Sequence, residues 1–88
     1  MTELRLQSNR VEWREVEGEL IALERSESVY LAGNSSATIL WRALAAGTTH
    51  DALANLLVSV YGIALETART DVARFLDDLS ARGLLEAA

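Results

Sequence analysis

The chain has 88 residues, half of them hydrophobic, which is enough for one globular domain and too little for two. It contains no cysteine, so disulfides and thiolate zinc sites are excluded. The net charge is −5 and every cation is an arginine scattered among acids, which argues against a surface for nucleic acid, because such surfaces concentrate basic side chains.

No apolar run is long enough to cross a membrane, and the first five residues lack the apolar stretch of a signal peptide. We therefore expect a single domain over residues 1–88 with a cytoplasmic location.

The first third of the chain has the pattern of β-strands. Alternation of polar and apolar residues predicts strands at 11–15 and 20–23, joined by a turn at Glu17-Gly18. A polar reversal over 24–27 precedes a third strand at 28–32, which is rich in β-branched and aromatic residues. Residues 4–7 form a weaker candidate for an additional strand.

Beyond Asn34 the period changes from two to that of a helix. Three apolar stripes follow in turn, each with the spacing of one helix face: Ala37, Leu40, Trp41 and Leu44; Leu53, Leu56, Leu57 and Val60; Ala68, Val72, Phe75, Leu76 and Leu79.

Helix boundaries are predicted from capping residues and glycines. Ser35 or Ser36 can cap the first helix, Thr48 with Asp51 the second, and Gly47, Gly62 and Gly83 end the three helices. Ala64 stands where a cap is expected before the last helix, so that start could shift toward Thr67.

This order of elements predicts an α+β fold, a small winged-helix-like domain with a three-stranded antiparallel sheet followed by three helices. The sheet face that covers the helices is expected to carry Trp13, Ile21, Leu23 and either Val29 with Leu31 or Tyr30 with Ala32.

Residues suited to catalysis are few. His50 is the single histidine, and a lone ring in the first turn of a helix is usually solvated. Asp77 and Asp78 are adjacent on a helix and point about 100° apart, which makes a poor acid–base pair. We therefore expect no enzyme activity, no metal and no cofactor.

The third strand is the most informative segment. Residues 28–32 carry no lysine, proline or charge of the kind that protects an exposed sheet edge. At an edge this strand could pair with an extended segment of another polypeptide. In the centre of the sheet it would already be paired, and the sequence leaves strand order open.

Several ordered motifs resemble the PqqD-like family. They are residues 11–19 (VEWREVEGE), 29–34 (VYLAGN), Trp41 and Leu44 before 47–49 (GTT), 71–79 (DVARFLDDL) and 82–85 (RGLL). The resemblance runs from about Leu4 to Glu86.

The resemblance implies a recognition element for ribosomally synthesised, post-translationally modified peptides (RiPPs). Such domains bind the leader segment of a precursor as a strand added to the third β-strand, beside the last helix. A free-standing copy is most similar to the leader-binding protein of lasso-peptide biosynthesis, which presents the precursor to a separate leader peptidase and cyclase. Other free-standing relatives serve radical-enzyme pathways, including pyrroloquinoline quinone synthesis.

Carried over by position, the resemblance implies a peptide-binding site on the third strand and the last helix: Val29, Tyr30, Leu31, Ala32, Asp71, Val72, Phe75, Leu76, Asp78 and Leu79. Phe75 would line a pocket for an apolar leader side chain, with Asp71 and Asp78 placed to pair with a basic leader residue. Val72, Leu76 and Leu79 would belong chiefly to the core.

Gly33 departs from relatives that carry a larger apolar residue there, and is expected to remove a contact and loosen the end of the strand. Two other functions remain open. A winged-helix transcription factor would suit the fold but not the charge, and a dimer could pair third strand to third strand.

Overall fold

The computed structural model describes residues 3–7, 9–24 and 29–87, with the backbone alone for 29–32 and 87. The elements in chain order are β1 (Leu4–Leu6), β2 (Val11–Val16), β3 (Glu19–Glu24), β4 (Val29–Gly33), α1 (Ser35–Ala46), α2 (His50–Tyr61), α3 (Leu65–Ala81) and β5 (Leu85–Ala87). The predicted α+β class, with three helices and antiparallel strands, is confirmed. None of these helices is long and apolar enough to span a bilayer.

Strands β2, β3 and β4 form one antiparallel sheet in that order. A second, two-stranded sheet pairs β1 with β5, and Leu4 also exchanges backbone hydrogen bonds with Thr48, at 2.6 and 2.9 Å. The weak candidate at 4–7 is therefore a strand. Its partner β5 was not predicted, because three residues after a helix are too few to show a strand period.

The β2–β3 hairpin is set by a two-residue turn. Val16 pairs with Glu19, and the two turn residues both have positive φ, 54° at Glu17 and 80° at Gly18. Positive φ at both positions is the type I′ turn, whose twist matches that of the flanking strands. The turn fixes the register between β2 and β3.

That register corrects the predicted core face of β3. The buried residues are Leu20 and Ala22, whereas Ile21 and Leu23 are half-buried on the other face. Because residues 20–23 are all apolar, the sequence does not show which of them face the core. The pairing of Trp13 with Ala22 places Ala22 on the core face. Which pair of β4 side chains faces the helices lies outside the described side chains.

The stripe of α1 packs on the buried sheet face, and the stripes of α2 and α3 join the same core. Trp41 is 1% exposed, and its ring meets that of Trp13 edge-on, with centroids 6.4 Å apart. The fully buried side chains include Leu44, Leu53, Val72 and Leu84. Val60 is an exception to its predicted stripe, since it is 50% exposed one residue before α2 ends.

Two predicted caps are wrong by one residue. The side chain of Asn34, not Ser35 or Ser36, accepts from the Ala37 amide at 2.9 Å, and Thr49 rather than Thr48 accepts from Ala52 at 3.2 Å. In both cases the residue before the helix is extended, which points its side chain at the free amides. The backbone N–H and C=O groups of Thr48 instead form hydrogen bonds with Leu4.

The last helix starts at Leu65 and not near Thr67. Ala64 precedes it in an extended conformation and provides no side-chain cap. At the other end Gly83 adopts a left-handed conformation, and the Leu84 amide donates to Leu79 O at 3.0 Å, which closes α3 and starts the chain toward β5.

Candidate functional site

Strand β4 is one of the two edge strands of the three-stranded sheet. It pairs with β3 on one side, and no described residue pairs with its other side. The alternative left open by the sequence, a central position for this strand, is therefore excluded for the described chain. Ser28, which the sequence placed in the same strand, lies outside the described residues.

Register identifies which backbone groups of β4 point outward. The closing pair of a two-residue hairpin exchanges both hydrogen bonds, and hydrogen-bonded pairs then alternate along the ladder. Counting from Val16 and Glu19, the backbone of Ala22 faces β4 and bonds its partner Leu31. The N–H and C=O groups of Tyr30 and Ala32 are thus directed away from β3, toward the open edge.

The end of this edge leads to an apolar cavity, which we call the α1–α3 cavity. It has a volume of about 470 Å³ and lies where α1 begins, beside the end of α2 and one flank of α3. Apolar side chains form most of its wall, with polar groups at the rim. Its described lining consists of Asn34, Ser35, Ser36, Ala37, Leu40, Leu57, Tyr61, Ile63, Asp71 and Phe75.

Hydrogen bonds fix the rim of the α1–α3 cavity. Asn34 Oδ1 accepts from the Ala37 amide and from Ser36 Oγ, both at 2.9 Å. Tyr61 Oη lies 3.1 Å from Ser35 Oγ and ties the end of α2 to the start of α1. Because both contacts already exist in the free chain, the cavity is preorganised rather than formed by a ligand.

Gly33 marks a close approach of α1 to the end of β4. A Cβ at this position would lie 3.0 Å from the Cβ of Ala37 and 3.2 Å from Leu20 Cδ2. Neighbouring side chains therefore leave little room for a larger residue at this position. The strand end is held tightly, contrary to the loosening expected from glycine.

A buried threonine also secures this end of the strand. Thr38 is 3% exposed, and its hydroxyl accepts from the Leu20 amide at 3.0 Å and donates to Asn34 O at 2.9 Å. Without this hydroxyl, the Leu20 amide would need an acceptor on β4. A side chain of α1 therefore joins β3 to the residue that follows β4.

The predicted residues of α3 lie in four different surroundings. Asp71 and Phe75 line the α1–α3 cavity, and Phe75 also packs against the core. Val72 and Leu79 are buried in the core, at 0% and 3% exposure.

Two further predicted residues of α3 lie elsewhere. Asp78 is exposed and is approached by Arg82 Nε at 3.3 Å, whereas Asp71 has no side-chain partner among the described residues. Leu76 is 7% exposed and borders a different groove on the opposite flank of the helix.

Several lining residues were missed by sequence reasoning. Leu40 and Leu57 belong to helical stripes and were assigned to the core alone, and Tyr61 and Ile63 flank the glycine that ends α2. An available signal was the direct passage from β4 into α1, which obliges the first turn of that helix to lie at the strand end.

The opposite edge of the sheet is bound to α1 by an ion pair. Arg42 donates to Glu15 through Nη2 and through Nε, the latter at 3.2 Å. The hydrogen bond to Glu15 and the charge of that carboxylate raise the pKa of Arg42. This ion pair links the edge strand β2 to α1.

Groups that could act chemically are dispersed. His50 is exposed at the first residue of α2. Within residues 3–7, 9–24 and 29–87, no three histidine, aspartate or glutamate side chains come together in a group that could hold a metal ion.

Two solved structures share this fold. The first, described as "TbiB1 in Complex with the TbiA(beta) Leader Peptide", has a TM-score of 0.85 and 21% identity, over 93% of this chain and 94% of the other. The second, "Lasso peptide synthetase B1 complexed with the leader peptide", has a TM-score of 0.82 and 20% identity, over 94% and 96% of the two chains. At these identities the likeness establishes the fold.

No curated protein matches the sequence. Residues 19–85, most of the chain, match the family described as coenzyme PQQ synthesis protein D (PqqD), and they include β3, β4, all three helices and the start of β5. The chain therefore belongs to the PqqD family.

Proposed function

We propose that this chain binds the leader segment of a ribosomally synthesised precursor as a strand added to β4, without chemistry of its own. The observation that carries the proposal is the free edge of β4, whose sequence has no charged residue and which ends at the preorganised α1–α3 cavity. Main-chain bonds to such an edge give affinity, and side-chain pockets give selectivity.

Each part of the site has a distinct role in the proposed complex. The outward N–H and C=O groups of Tyr30 and Ala32 pair with the leader backbone. An apolar leader side chain enters the α1–α3 cavity against Phe75, and the carboxylate of Asp71, which has no side-chain partner among the described residues, attracts a basic leader residue nearby.

The wider peptide-binding set inferred from the family keeps a place in the proposal. Val29 and Leu31 hold β4 to β3, Val72, Leu76 and Leu79 support the helix from the core, and Asp78 extends the acidic flank beside Asp71.

A lasso-peptide pathway is the leading context, with the precursor passed to a separate leader peptidase and cyclase. Both structural relatives are complexes with a leader peptide, and one is described as a lasso peptide synthetase. The family itself, coenzyme PQQ synthesis protein D, favours a second candidate, a leader-binding chaperone for a radical-enzyme pathway such as pyrroloquinoline quinone synthesis.

The proposed function also includes a domain architecture and a cellular location. Residues 1–88 act as one winged-helix-like recognition domain in the cytoplasm, where precursors are made. A net charge of −5 is unfavourable for a winged-helix transcription factor, since phosphate contacts require basic side chains. An added strand with one filled pocket is consistent with micromolar affinity, about −8 kcal/mol.

Titration of a fluorescent leader peptide tests the proposal. Tyr30→Pro removes an outward donor and leaves a leader carbonyl unpaired, which costs about 1–3 kcal/mol, or roughly 5- to 150-fold in Kd. Glu15→Pro is the matched control, because register also directs the Glu15 amide outward, but from β2, and Glu15→Ala, titrated alongside, accounts for the lost ion pair with Arg42. We expect Glu15→Pro to leave the Kd within about twofold, and the same titration measures both variants.

The proposal is wrong if wild-type protein shows no saturable binding to a leader of either pathway, or if both proline variants weaken binding equally. Size-exclusion chromatography of the free chain tests the competing use of the edge. A dimer that dissociates on Tyr30→Pro would mean that β4 pairs with a second copy. Slower migration of DNA in a gel-shift assay at low salt, when the protein is added, would support the transcription-factor alternative.

A further inference from the structure

A second groove lies on the far flank of α3, and we call it the α3–β5 groove. Its volume is about 510 Å³, and it is bounded by β1, β5, the first turn of α2 and α3. Leu4, Leu76 and Leu85 contribute apolar surface to it, and Ala73 leaves room for close approach of another backbone.

The two sites occupy opposite sides of one helix. Successive helix residues are rotated by about 100°, so Ala73 and Asp77 project from the flank opposite to Asp71 and Phe75. The buried stripe of Val72 and Leu79 runs between the flanks. A ligand in the α1–α3 cavity therefore leaves the α3–β5 groove open.

The charge at the α3–β5 groove is one-sided. Asp51 and Asp77 are exposed at its rim, and neither makes a side-chain hydrogen bond or ion pair with the described residues. None of the described lining residues is an arginine, and His50 is the only other titratable one. An apolar surface edged by unpaired carboxylates complements apolar residues flanked by basic ones.

We propose that the α3–β5 groove docks the modifying enzyme, through a short amphipathic helix with leucine-like residues on one face and arginine or lysine beside them. This inference rests on the proposed function, since it gives the bound leader a recipient. With both flanks of α3 occupied, the precursor is held at high local concentration next to the enzyme.

A second copy of the chain is a poor occupant of this groove. Each copy carries a net charge of −5, so two acidic surfaces would be brought together. The leader itself is a poor occupant as well, because it is already assigned to β4 and the opposite flank.

NMR titration of the isotope-labelled full chain tests the chemistry and the place together. The probe is a synthetic amphipathic helix of about three turns, with leucines on one face and arginines flanking them. We expect the largest chemical-shift changes at Ala73, Asp77 and Leu85. The probe should cause the same changes in protein that is already saturated with unlabelled leader.

Matched variants separate the two flanks. Asp77→Ser is expected to weaken the probe about fivefold or more and to leave leader affinity unchanged, whereas Asp71→Ser does the reverse. With the purified peptidase or cyclase of the same pathway as titrant, Asp77→Ser should weaken binding in the same direction.

Three results would overturn the inference: probe shifts that map outside the α3–β5 groove, equal binding by a probe with glutamates in place of arginines, or enzyme binding untouched by Asp77→Ser. Failure of the proposed function is distinguishable from these. In that case the leader does not bind wild-type protein, while the probe still maps to the groove.

Discussion

The two outer strands of the three-stranded sheet expose their edges differently. Strand β2 carries Glu12, Arg14 and Glu15, and the last of these is bound to Arg42 of α1. Strand β4, Val29–Gly33, has no charged residue and leads directly into an apolar cavity. Charges on an edge discourage pairing with another chain, and their absence permits it.

A small sheet built in this way permits strand addition at one edge and discourages it at the other. Both edges offer outward N–H and C=O groups in the described chain. What distinguishes them is the side-chain composition and the presence of a preorganised pocket at one end. The specificity of the proposed site therefore resides in the surroundings of the edge as well as in its hydrogen bonds.

The largest loss of stability is expected from removing a backbone N–H of β4 that bonds to β3, and a much smaller loss from removing one that points outward. Leu31→Pro removes a ladder donor to β3 and should destabilise the fold by about 1–3 kcal/mol, roughly 5–20 °C in Tm. Ala32→Pro removes only an outward donor and should shift Tm by a few degrees at most. Thermal unfolding followed by circular dichroism measures both, and Leu31→Ala controls for the lost side chain. Equal losses in the two proline variants would contradict the assigned register.

A comparable effect is expected where the end of β4 packs closely against α1. Gly33→Ala places a methyl group 3.0 Å from Ala37 Cβ, and overpacking of this kind costs about 1–3 kcal/mol. Adding Ala37→Gly relieves the clash, so the double variant should lose less than the sum of the single losses. Chemical denaturation of the four proteins gives the coupling. Strict additivity would mean that the two residues do not touch.

The smallest effect concerns the hairpin at the β2 side. Glu17 adopts φ 54°, where asparagine is far better tolerated, so Glu17→Asn should stabilise the domain by about 0.5–1 kcal/mol. Leader affinity should not change, because the turn lies away from β4. Equilibrium unfolding in urea measures the gain. A loss of stability would argue against the type I′ turn.

Much of the fold was predictable because its periods are strong. The stripes of Leu40, Trp41 and Leu44 and of Val72, Leu76 and Leu79 lie in the core as their spacing indicates. The turn at Glu17-Gly18 was also predicted, since glycine supplies one of the positive φ values.

The errors arose where several residues satisfy the same local rule. The side chains of residues 20–23 that face the core cannot be identified until the hairpin register is known, and Ile21 was therefore predicted on the core face in error. Asn34, Ser35 and Ser36 can all cap a helix, and only the backbone conformation shows that Asn34 does.

The candidate site was harder to predict than the core. Asp71 and Phe75 came from a family resemblance, and the structure brings them to one cavity. The opposite wall, which includes Leu40 and Tyr61, comes from helices far apart in the sequence, and no local pattern links them. Strand order likewise depends on long-range pairing, which is why the edge position of β4 required the structure.

Hydrogen exchange at single amides, with and without the leader peptide, tests the central claim most directly. In the free protein the Tyr30 and Ala32 amides should exchange quickly and the Leu31 amide slowly, since it bonds to β3. Saturating leader should protect Tyr30 and Ala32 and leave Glu15 unchanged. Fast exchange at Tyr30 and Ala32 that persists in the complex would contradict strand addition at this edge, as would strong protection of both before any peptide is added.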